Sequence, residues 1–207
     1  EITAENLADL GPTVGSIELQ LNGKAADSLP VLFNMPQPPV NPAMVDDFES
    51  YYGDNGLLKA AYSTNCGGGC EVTPILTTET GQYQSGSNGL VFHYKINKGG
   101  YAGIVKSLGG VDWSKYKAVQ FWVTPDGKGQ KLIIQLNSNG EDFEVDLSAL
   151  AKESKPQLVT LPFTQFVGKN NGKFDKAHVQ HFAIYCNTIG DAAMNSTMYF
   201  DDIKAVE

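Results

Sequence analysis

Basic residues are scarce in this sequence. Lysine and arginine together number 15 among 207 residues, against 23 acidic residues, and the formal net charge is −8. Proteins that bind a phosphate backbone concentrate lysine and arginine on one surface, which argues against a nucleic-acid partner. Long apolar runs are also lacking, since none approaches the roughly 20 residues that cross a bilayer. We therefore expect no nucleic acid and no membrane as a partner. The first residues, EITAENLADL, lack the basic and apolar regions of a signal peptide.

Cysteine is equally scarce, with three residues in the chain. Cys66 and Cys70 flank three glycines in NCGGGC, where a structural disulfide or two inert thiols is the favoured interpretation. A metal or redox pair is disfavoured because the spacing is not CxxC and no second cysteine pair or well-placed histidine completes a tetrahedral site. Cys186 alternates with the apolar Phe182 and Ile184, which indicates a buried free thiol.

No segment has the pattern of an amphipathic helix of three turns. From residue 44 onward, short segments of alternating apolar residues recur instead, separated by Gly, Asn, Asp and Pro. This arrangement predicts an all-β fold, either a sandwich or a barrel. The predicted strands are GLVFHYKIN, YAGIVKSL, KAVQFWVTP, QKLIIQLNS, DFEVDLS, QLVTLPF, HFAIYCN and MYFDDIKAV.

Proline is concentrated in residues 34–43, NMPQPPVNPA, where four prolines disfavour both a helix and a central strand. We therefore expect two parts, residues 1–43 and residues 44–207. The first part contains GSIELQLNG and LPVLFN, which predict a β-hairpin too small to be stable by itself. This hairpin is either the end of a preceding module or a pair of strands docked on the main domain.

The strand in KAVQFWVTPDG raises the question of function. If Val119, Phe121 and Val123 face the core, then Gln120 and Trp122 lie on the opposite face. The same alternation in other strands predicts further amides and aromatic rings outside the core: Ile133, Gln135 and Asn137, then Ala183, Tyr185 and Asn187.

Such a face suits a neutral sugar. Aromatic rings stack on the C–H patches of a sugar ring, while Asn and Gln side chains both donate to and accept from hydroxyl groups. The alternative is that Trp122 covers the sheet beneath a loop and that the amides are merely solvated. Three strands with the same composition favour a binding face.

Carboxylates lie among apolar residues at both ends of the main domain, in MVDDFE and in MYFDDI. Burying such groups close together is costly, and a bound cation would remove the conflict. Calcium accepts six to eight oxygen ligands, which a turn such as SGSNG could complete. The alternative is that these carboxylates point into solvent from edge strands.

The order of MVDDFES, SGSNGLVFHYKI, GGYAGIVKSL, VDWSKYKAVQFWV and MYFDDIKAV resembles the carbohydrate-binding modules of bacterial plant-cell-wall glycoside hydrolases. Family 11 is the most similar, and families 16, 27 and 35 are its β-sandwich relatives. The resemblance covers residues 44–207. The sequence departs from family 11 in FVGKNNGKFDKAH, which lacks an arginine-rich, tyrosine-bearing loop, and in NCGGGC.

The resemblance implies a jelly-roll β-sandwich of two antiparallel sheets and a groove on a concave face that binds a β-1,4-linked glucan, mixed-linkage glucan or mannan. It also implies a noncatalytic, monomeric, extracellular module covalently attached to a glycoside hydrolase, with structural Ca²⁺ held by Glu49 and Asp201 and a further ligand at Asp47. Tyr101 in GGYAG matches a ligand-stacking tyrosine. Together with the face analysis, the predicted sugar-binding residues are Tyr101, Gln120, Trp122, Gln135, Asn137 and Tyr185.

Two other function classes stay open. A catalytic sandwich, either a glycosidase or a polysaccharide lyase, would need two opposed carboxylates. The candidates are the carboxylates of MVDDFE and MYFDDI at the two ends of the main domain and those of GEDFEVDLS, namely Glu141, Asp142, Glu144 and Asp146. Those of GEDFEVDLS come from a single strand, on which Asp142, Glu144 and Asp146 share one face. A structural spacer or interaction domain of an extracellular multidomain protein would bind no sugar at all.

Overall fold

The alternating segments form two six-stranded antiparallel sheets that face each other across one core. The computed structural model describes residues 11–36, 39–189 and 192–207. One sheet, here called the groove sheet, has the order β12-β10-β9-β13-β7-β4. Its strands are Val167–Gly168 (β12), Glu141–Asp146 (β10), Lys131–Ser138 (β9), Val179–Asn187 (β13), Tyr101–Val111 (β7) and Tyr62–Gly67 (β4).

The second sheet has the order β11-β8-β14-β6-β5, with β3 pairing to β14. Its strands are Gln157–Pro162 (β11), Ala118–Thr124 (β8), Met194–Val206 (β14), Gly89–Ile96 (β6), Glu71–Thr77 (β5) and Met44–Asp46 (β3). The prediction of an all-β sandwich of two antiparallel sheets is confirmed.

The predicted strand faces explain where the core lies. The inward positions of β6, Leu90, Phe92, Tyr94 and Ile96, are all completely buried. The same holds for Leu132, Ile134 and Leu136 of β9, for Val119, Phe121 and Val123 of β8, and for Phe182, Ile184 and Cys186 of β13, none of which exceeds 2% exposure. The prediction that Cys186 is a buried free thiol is confirmed as well.

Three elements between residues 55 and 77 were not predicted. Helix α1, Asn55–Ala61, begins after Asp54, whose side chain accepts a hydrogen bond from the Leu57 amide at 2.8 Å. A helix of seven residues is too short to show a repeating apolar pattern, and it buries Leu58 alone. Strand β4 ends within the glycine-rich NCGGGC segment and β5 begins directly after it, and the turn-forming residues of this segment hid both strands from the sequence analysis. No helix among the described residues is long and apolar enough to cross a membrane.

A separate two-stranded sheet precedes the sandwich. Strands Thr13–Leu21 (β1) and Lys24–Phe33 (β2) pair in antiparallel fashion around Asn22 and Gly23, which both have positive φ, as a tight hairpin turn requires. The predicted boundary between residues 43 and 44 stays a prediction.

Candidate functional site

The outward side chains of the groove sheet line up in rows that cross the strands. In one row Asn65, Gly103, Tyr185 and Ile133 are neighbours on β4, β7, β13 and β9. An adjacent row holds Val105, Ala183, Gln135 and Glu144, and another holds Gly67, Tyr101, Asn187 and Lys131. Although they point outward, Ala183 and Ile133 are 1% and 3% exposed, so the surrounding side chains rise above them and form a groove.

Two glycines let the aromatic rings of this groove lie against the sheet. An ideal Cβ on Gly103 would be 2.1 Å from Cδ1 of Tyr185, and one on Gly67 would be 2.7 Å from Cε1 of Tyr101. Each ring therefore occupies the space above a glycine on the neighbouring strand. The two ring centroids are 6.3 Å apart. These rings supply a pair of neighbouring stacking surfaces at one end of the groove.

An amide holds the two phenols in place. The Asn65 Nδ2 group donates to the Tyr185 hydroxyl at 2.9 Å, and the Tyr101 hydroxyl donates to Asn65 Oδ1 at 3.5 Å. Burial raises the pKa of Tyr185 above its ordinary value, so this phenol stays protonated at neutral pH. Within the described part of the chain the Tyr185 hydroxyl is only an acceptor, from Asn65, so its hydrogen can be donated to a ligand.

Charged residues form the other end of the groove. Gln135 Nε2 donates to Glu144 Oε1 at 2.8 Å, and Asn137 Nδ2 donates to Asp142 Oδ1 at 2.8 Å. Lys169, which follows β12, lies 2.8 Å from Glu144 and 3.8 Å from Asp142. The hydrogen bond to Glu144 raises the pKa of Lys169. The Lys169 ammonium therefore offsets part of the negative charge of Glu144 and Asp142. Hydrogen bonds hold both carboxylates, which are acceptors, and the Gln135 and Asn137 amides, which donate and accept, in fixed positions.

The groove has a volume of about 300 Å³. Its lining brings together three of the predicted binding residues, Tyr101, Gln135 and Tyr185, and Asn137 reaches it through Asp142. The alternation in β10 already pointed Asp142 and Glu144 outward. Sequence analysis missed Asn65 because β4 was not recognised, and it missed Lys131 and Lys169 because no periodic pattern marks a strand end or a loop.

The structure corrects the prediction for Gln120 and Trp122. Both point outward as expected, but β8 belongs to the second sheet, so they lie on the opposite outer face of the sandwich from Gln135 and Tyr185. Gln120 Nε2 donates to Thr160 on β11 at 3.0 Å, and Trp122 borders a small cavity beside residues 81–84. The six predicted residues therefore do not form one surface. The alternative interpretation of Trp122, as a ring beside a covering loop, fits its position better.

Two of the three carboxylates predicted to bind calcium, Glu49 and Asp201, contact the same loop, residues 84–88. Asp201 Oδ2 accepts from the amides of Gln84 and Ser85 at 2.6 and 2.9 Å. Glu49 Oε1 accepts from the amides of Ser87 and Asn88, both at 2.8 Å, across Gly86, where an ideal Cβ would be 2.3 Å from the same oxygen. Burial raises the pKa of Asp201.

The donor set of this loop fits a cation only in part. A carboxylate offers about four acceptor positions, and Glu49 and Asp201 each use three on N–H groups. Each can therefore supply one further lone pair, and loop carbonyls could add others. Among the described residues, no three His, Cys, Asp or Glu side chains are grouped to hold a metal. Asp47, which accepts from the Glu49 amide, thus does not complete a three-carboxylate site.

The NCGGGC segment contains Gly67, above which the Tyr101 ring lies. Cys66 and Cys70 form a disulfide, as the favoured interpretation of this motif allowed. Asn97 Nδ2 donates to the carbonyls of Gly68 and Gly69, at 3.3 and 2.7 Å. The disulfide and these hydrogen bonds hold Gly67 beneath the Tyr101 ring.

The sequence is similar to a known protein family and to a characterised enzyme. A family model described as carbohydrate binding domain (family 11) matches residues 34–179. A mannan endo-1,4-β-mannosidase of Bifidobacterium adolescentis is 30% identical over 126 residues, which are 60% of this chain and 12% of that protein. The chain thus spans a small part of its curated relative.

Solved structures share the fold at low identity. A family 11 carbohydrate-binding module from Clostridium thermocellum, in complex with a β-1,3-1,4-mixed-linked tetrasaccharide, matches with a TM-score of 0.59 and 20% identity, over 79% of this chain and 94% of that one. A structure from work on the promiscuous specificity of carbohydrate-binding modules of the β-sandwich superfamily matches with a TM-score of 0.53 and 17% identity. It covers 95% of this chain and 75% of that one.

Proposed function

The chain belongs to family 11 of the carbohydrate-binding domains, and we propose that its groove sheet binds a neutral β-1,4-linked polysaccharide, either a mixed-linkage β-glucan or a β-mannan. The observation that carries this proposal is the pair of tyrosine rings above Gly67 and Gly103, beside a row of amides and carboxylates. A β-1,4-linked hexose chain is extended and has C–H patches on its ring faces and hydroxyls along its edges. The groove offers a matching partner for each.

The charges in the groove are compatible with a neutral ligand. Glu144 and Asp142 are both close to Lys169, so their charge is partly balanced within the groove. Carboxylates accept hydrogen bonds from hydroxyls more strongly than neutral groups do. An acidic polysaccharide would instead meet two carboxylates, in a protein whose net charge is −8.

The comparisons support two ligands. The solved family 11 module binds a mixed-linked glucan tetrasaccharide, and the curated relative is a mannosidase that acts on mannan. Both polymers contain β-1,4-linked hexoses that differ in the orientation of the 2-hydroxyl group. Asn65, Gln135 and Asn187 are amides of the groove lining that can each donate and accept, so they suit either orientation.

We further propose that the module is noncatalytic and keeps an attached glycoside hydrolase near its substrate. Glycoside hydrolysis requires two carboxyl groups on opposite sides of the bond, one of them kept protonated. Asp142 and Glu144 come from one strand and lie on the same side of the groove, and both are close to the Lys169 ammonium, at 3.8 and 2.8 Å, so they are not placed on opposite sides of a bond. Since plant polysaccharides are outside the cell, we place the protein there, secreted or attached to the cell surface, as a monomer.

Native affinity electrophoresis tests the ligand class. We expect slower migration through gels that contain mixed-linkage β-glucan or β-mannan, and unchanged migration through polygalacturonate, which is acidic. A reducing-sugar assay on the same polymers is expected to detect no product. Binding to none of the neutral polymers would contradict the proposal, and release of sugar would show an enzyme instead.

Calcium binding by Glu49 and Asp201 is proposed as a separate property. At a calcium concentration of about 100 Kd, a ligand that binds only the folded state adds about 2.7 kcal/mol, or roughly 5–10 °C in Tm for a chain of this size. We expect EDTA to lower Tm by that order and calcium to restore it, measured by differential scanning calorimetry. Glu49→Gln should abolish the response, whereas Asp47→Asn should keep it. A Tm unaffected by EDTA would contradict this proposal and leave sugar binding untouched.

A further inference from the structure

The hairpin formed by β1 and β2 has an apolar face. Its register places Ile17 opposite Leu29 and Gly15 opposite Val31, on one side of the two strands. An ideal Cβ on Gly15 would be 2.9 Å from the Phe33 ring, which therefore lies on the same side. We call this side the outer hairpin face, and its apolar members are Ile17, Leu19, Leu29, Val31 and Phe33.

This face points away from the sandwich. Pro30, on the other side of β2, lies close to α1, since an ideal Cβ on Gly56 would be 3.5 Å from Cβ of Pro30. Leu29 must therefore point in the opposite direction, because neighbouring residues of a strand alternate. Ile17, Leu19 and Leu29 are 38%, 49% and 50% exposed, and no residue of either strand is buried. Val31 and Phe33 are half-buried, so the uncovered part of the outer hairpin face consists of Ile17, Leu19 and Leu29.

An isolated hairpin of this kind has little to stabilise it. Two-stranded hairpins are marginal in water, and a cluster of exposed apolar side chains usually marks an interaction surface. Among the described residues, β1 and β2 pair only with each other, so the outer backbone groups of both strands are available for further strands. The outer hairpin face has the alternating apolar residues of a buried strand face but no core of its own. Another part of the protein that packs on it would explain this pattern.

We propose that β1 and β2 are two strands of a second β-sheet module in the same polypeptide, and that the outer hairpin face packs against the rest of that module. The solved structure of the β-sandwich superfamily module matches 95% of this chain, which leaves about ten residues unmatched. The hairpin is longer than that, so the match includes at least part of it. A quarter of that solved chain lies beyond the match, and the curated relative is far longer than this chain. The proposal does not depend on sugar binding.

Hydrogen exchange tests the assignment. Two proteins are compared: the 207-residue chain, and a longer protein that also contains the residues that its gene encodes before residue 1. In the extended protein we expect the amides of β1 and β2 to exchange at least about 100-fold more slowly, because strands in a module open far less often than a free hairpin. In the shorter chain they should exchange much faster than those of β9 and β13.

Substitutions locate the packing surface. In the extended protein, Leu19→Ser with Leu29→Ser should lower the Tm of the added module and leave the sandwich transition unchanged, as followed by calorimetry. Val40→Ser, which also removes an exposed apolar side chain, 96% exposed, should change neither transition. Three results would overturn the proposal: no β-rich module upstream, equal hairpin exchange in both proteins, or protection in the shorter chain that rises with concentration as a dimer forms.

Discussion

Replacing Tyr185 with alanine is expected to weaken polysaccharide binding by roughly 5- to 150-fold, because one stacked aromatic ring is commonly worth about 1 to 3 kcal/mol. The Tyr185 ring lies above Gly103 in the centre of the groove sheet, with Asn65 fixing its hydroxyl. Isothermal titration with the preferred soluble polymer measures the loss. The ring is half-buried outside the core, so we expect the folded sandwich to persist.

Two control variants separate stacking from other effects. Tyr185→Phe keeps the ring and removes the hydroxyl, so most of the affinity should remain. Trp122→Ala removes a larger ring from the second sheet and should change the affinity less than about twofold, because local surface changes at distant sites rarely couple. A large loss for Trp122→Ala together with none for Tyr185→Ala would show that the ligand binds the outer face of the second sheet, which would contradict the proposal.

The contrast between Trp122 and Tyr185 shows how far strand alternation reaches. Alternation is local, so the sequence could predict correctly that both side chains point away from the core. Which sheet holds each strand depends on pairing between distant segments, and β8 pairs with β11 and β14 whereas β13 pairs with β7 and β9. A sandwich has two outer faces, and the periodicity of a strand does not distinguish them.

Other parts of the groove depend on contacts that no local pattern reports. Lys169 reaches Glu144 from the FVGKNNGKFDKAH region, where the expected arginine-rich loop is lacking. Gly103 and Gly67 appear in the sequence as ordinary turn or strand glycines, and their role as the floor beneath Tyr185 and Tyr101 follows only from strand register. The aromatic and amide composition was predictable, but its assembly into a groove was not.

The largest loss of stability is expected from a buried charged cluster at one end of the core. Asp46 Oδ2 accepts from the hydroxyls of Tyr51 and Tyr62, at 2.6 and 2.9 Å, and from the Lys106 ammonium at 2.5 Å. The side chains of Asp46 and Lys106 are 1% and 19% exposed. Burial and the Asp46 charge raise the pKa of both phenols, which therefore remain donors. Asp46 lies on β3 and Lys106 on β7, so the cluster joins the two sheets.

Asp46→Ala should therefore lower the free energy of unfolding by about 3 to 5 kcal/mol, because it leaves the Lys106 charge largely buried without its partner. For a protein of this size that corresponds to a fall in Tm on the order of 6–20 °C. Urea denaturation followed by tryptophan fluorescence measures the free energy, since Trp113 is completely buried. Both tyrosine hydroxyls also lose their acceptor, which adds to the cost.

The exposed pair of Lys95 and Glu71 provides the matched control. Its charges are 3.0 Å apart, but the two side chains are 46% and 70% exposed, so Glu71→Ala should cost less than about 1 kcal/mol. Adding Lys106→Met to Asp46→Ala should recover part of the lost stability, because it removes the unpaired charge and keeps the apolar contacts. Equal losses for Asp46→Ala and Glu71→Ala, or no recovery in the double variant, would show that desolvated charge is not what makes this cluster costly to break.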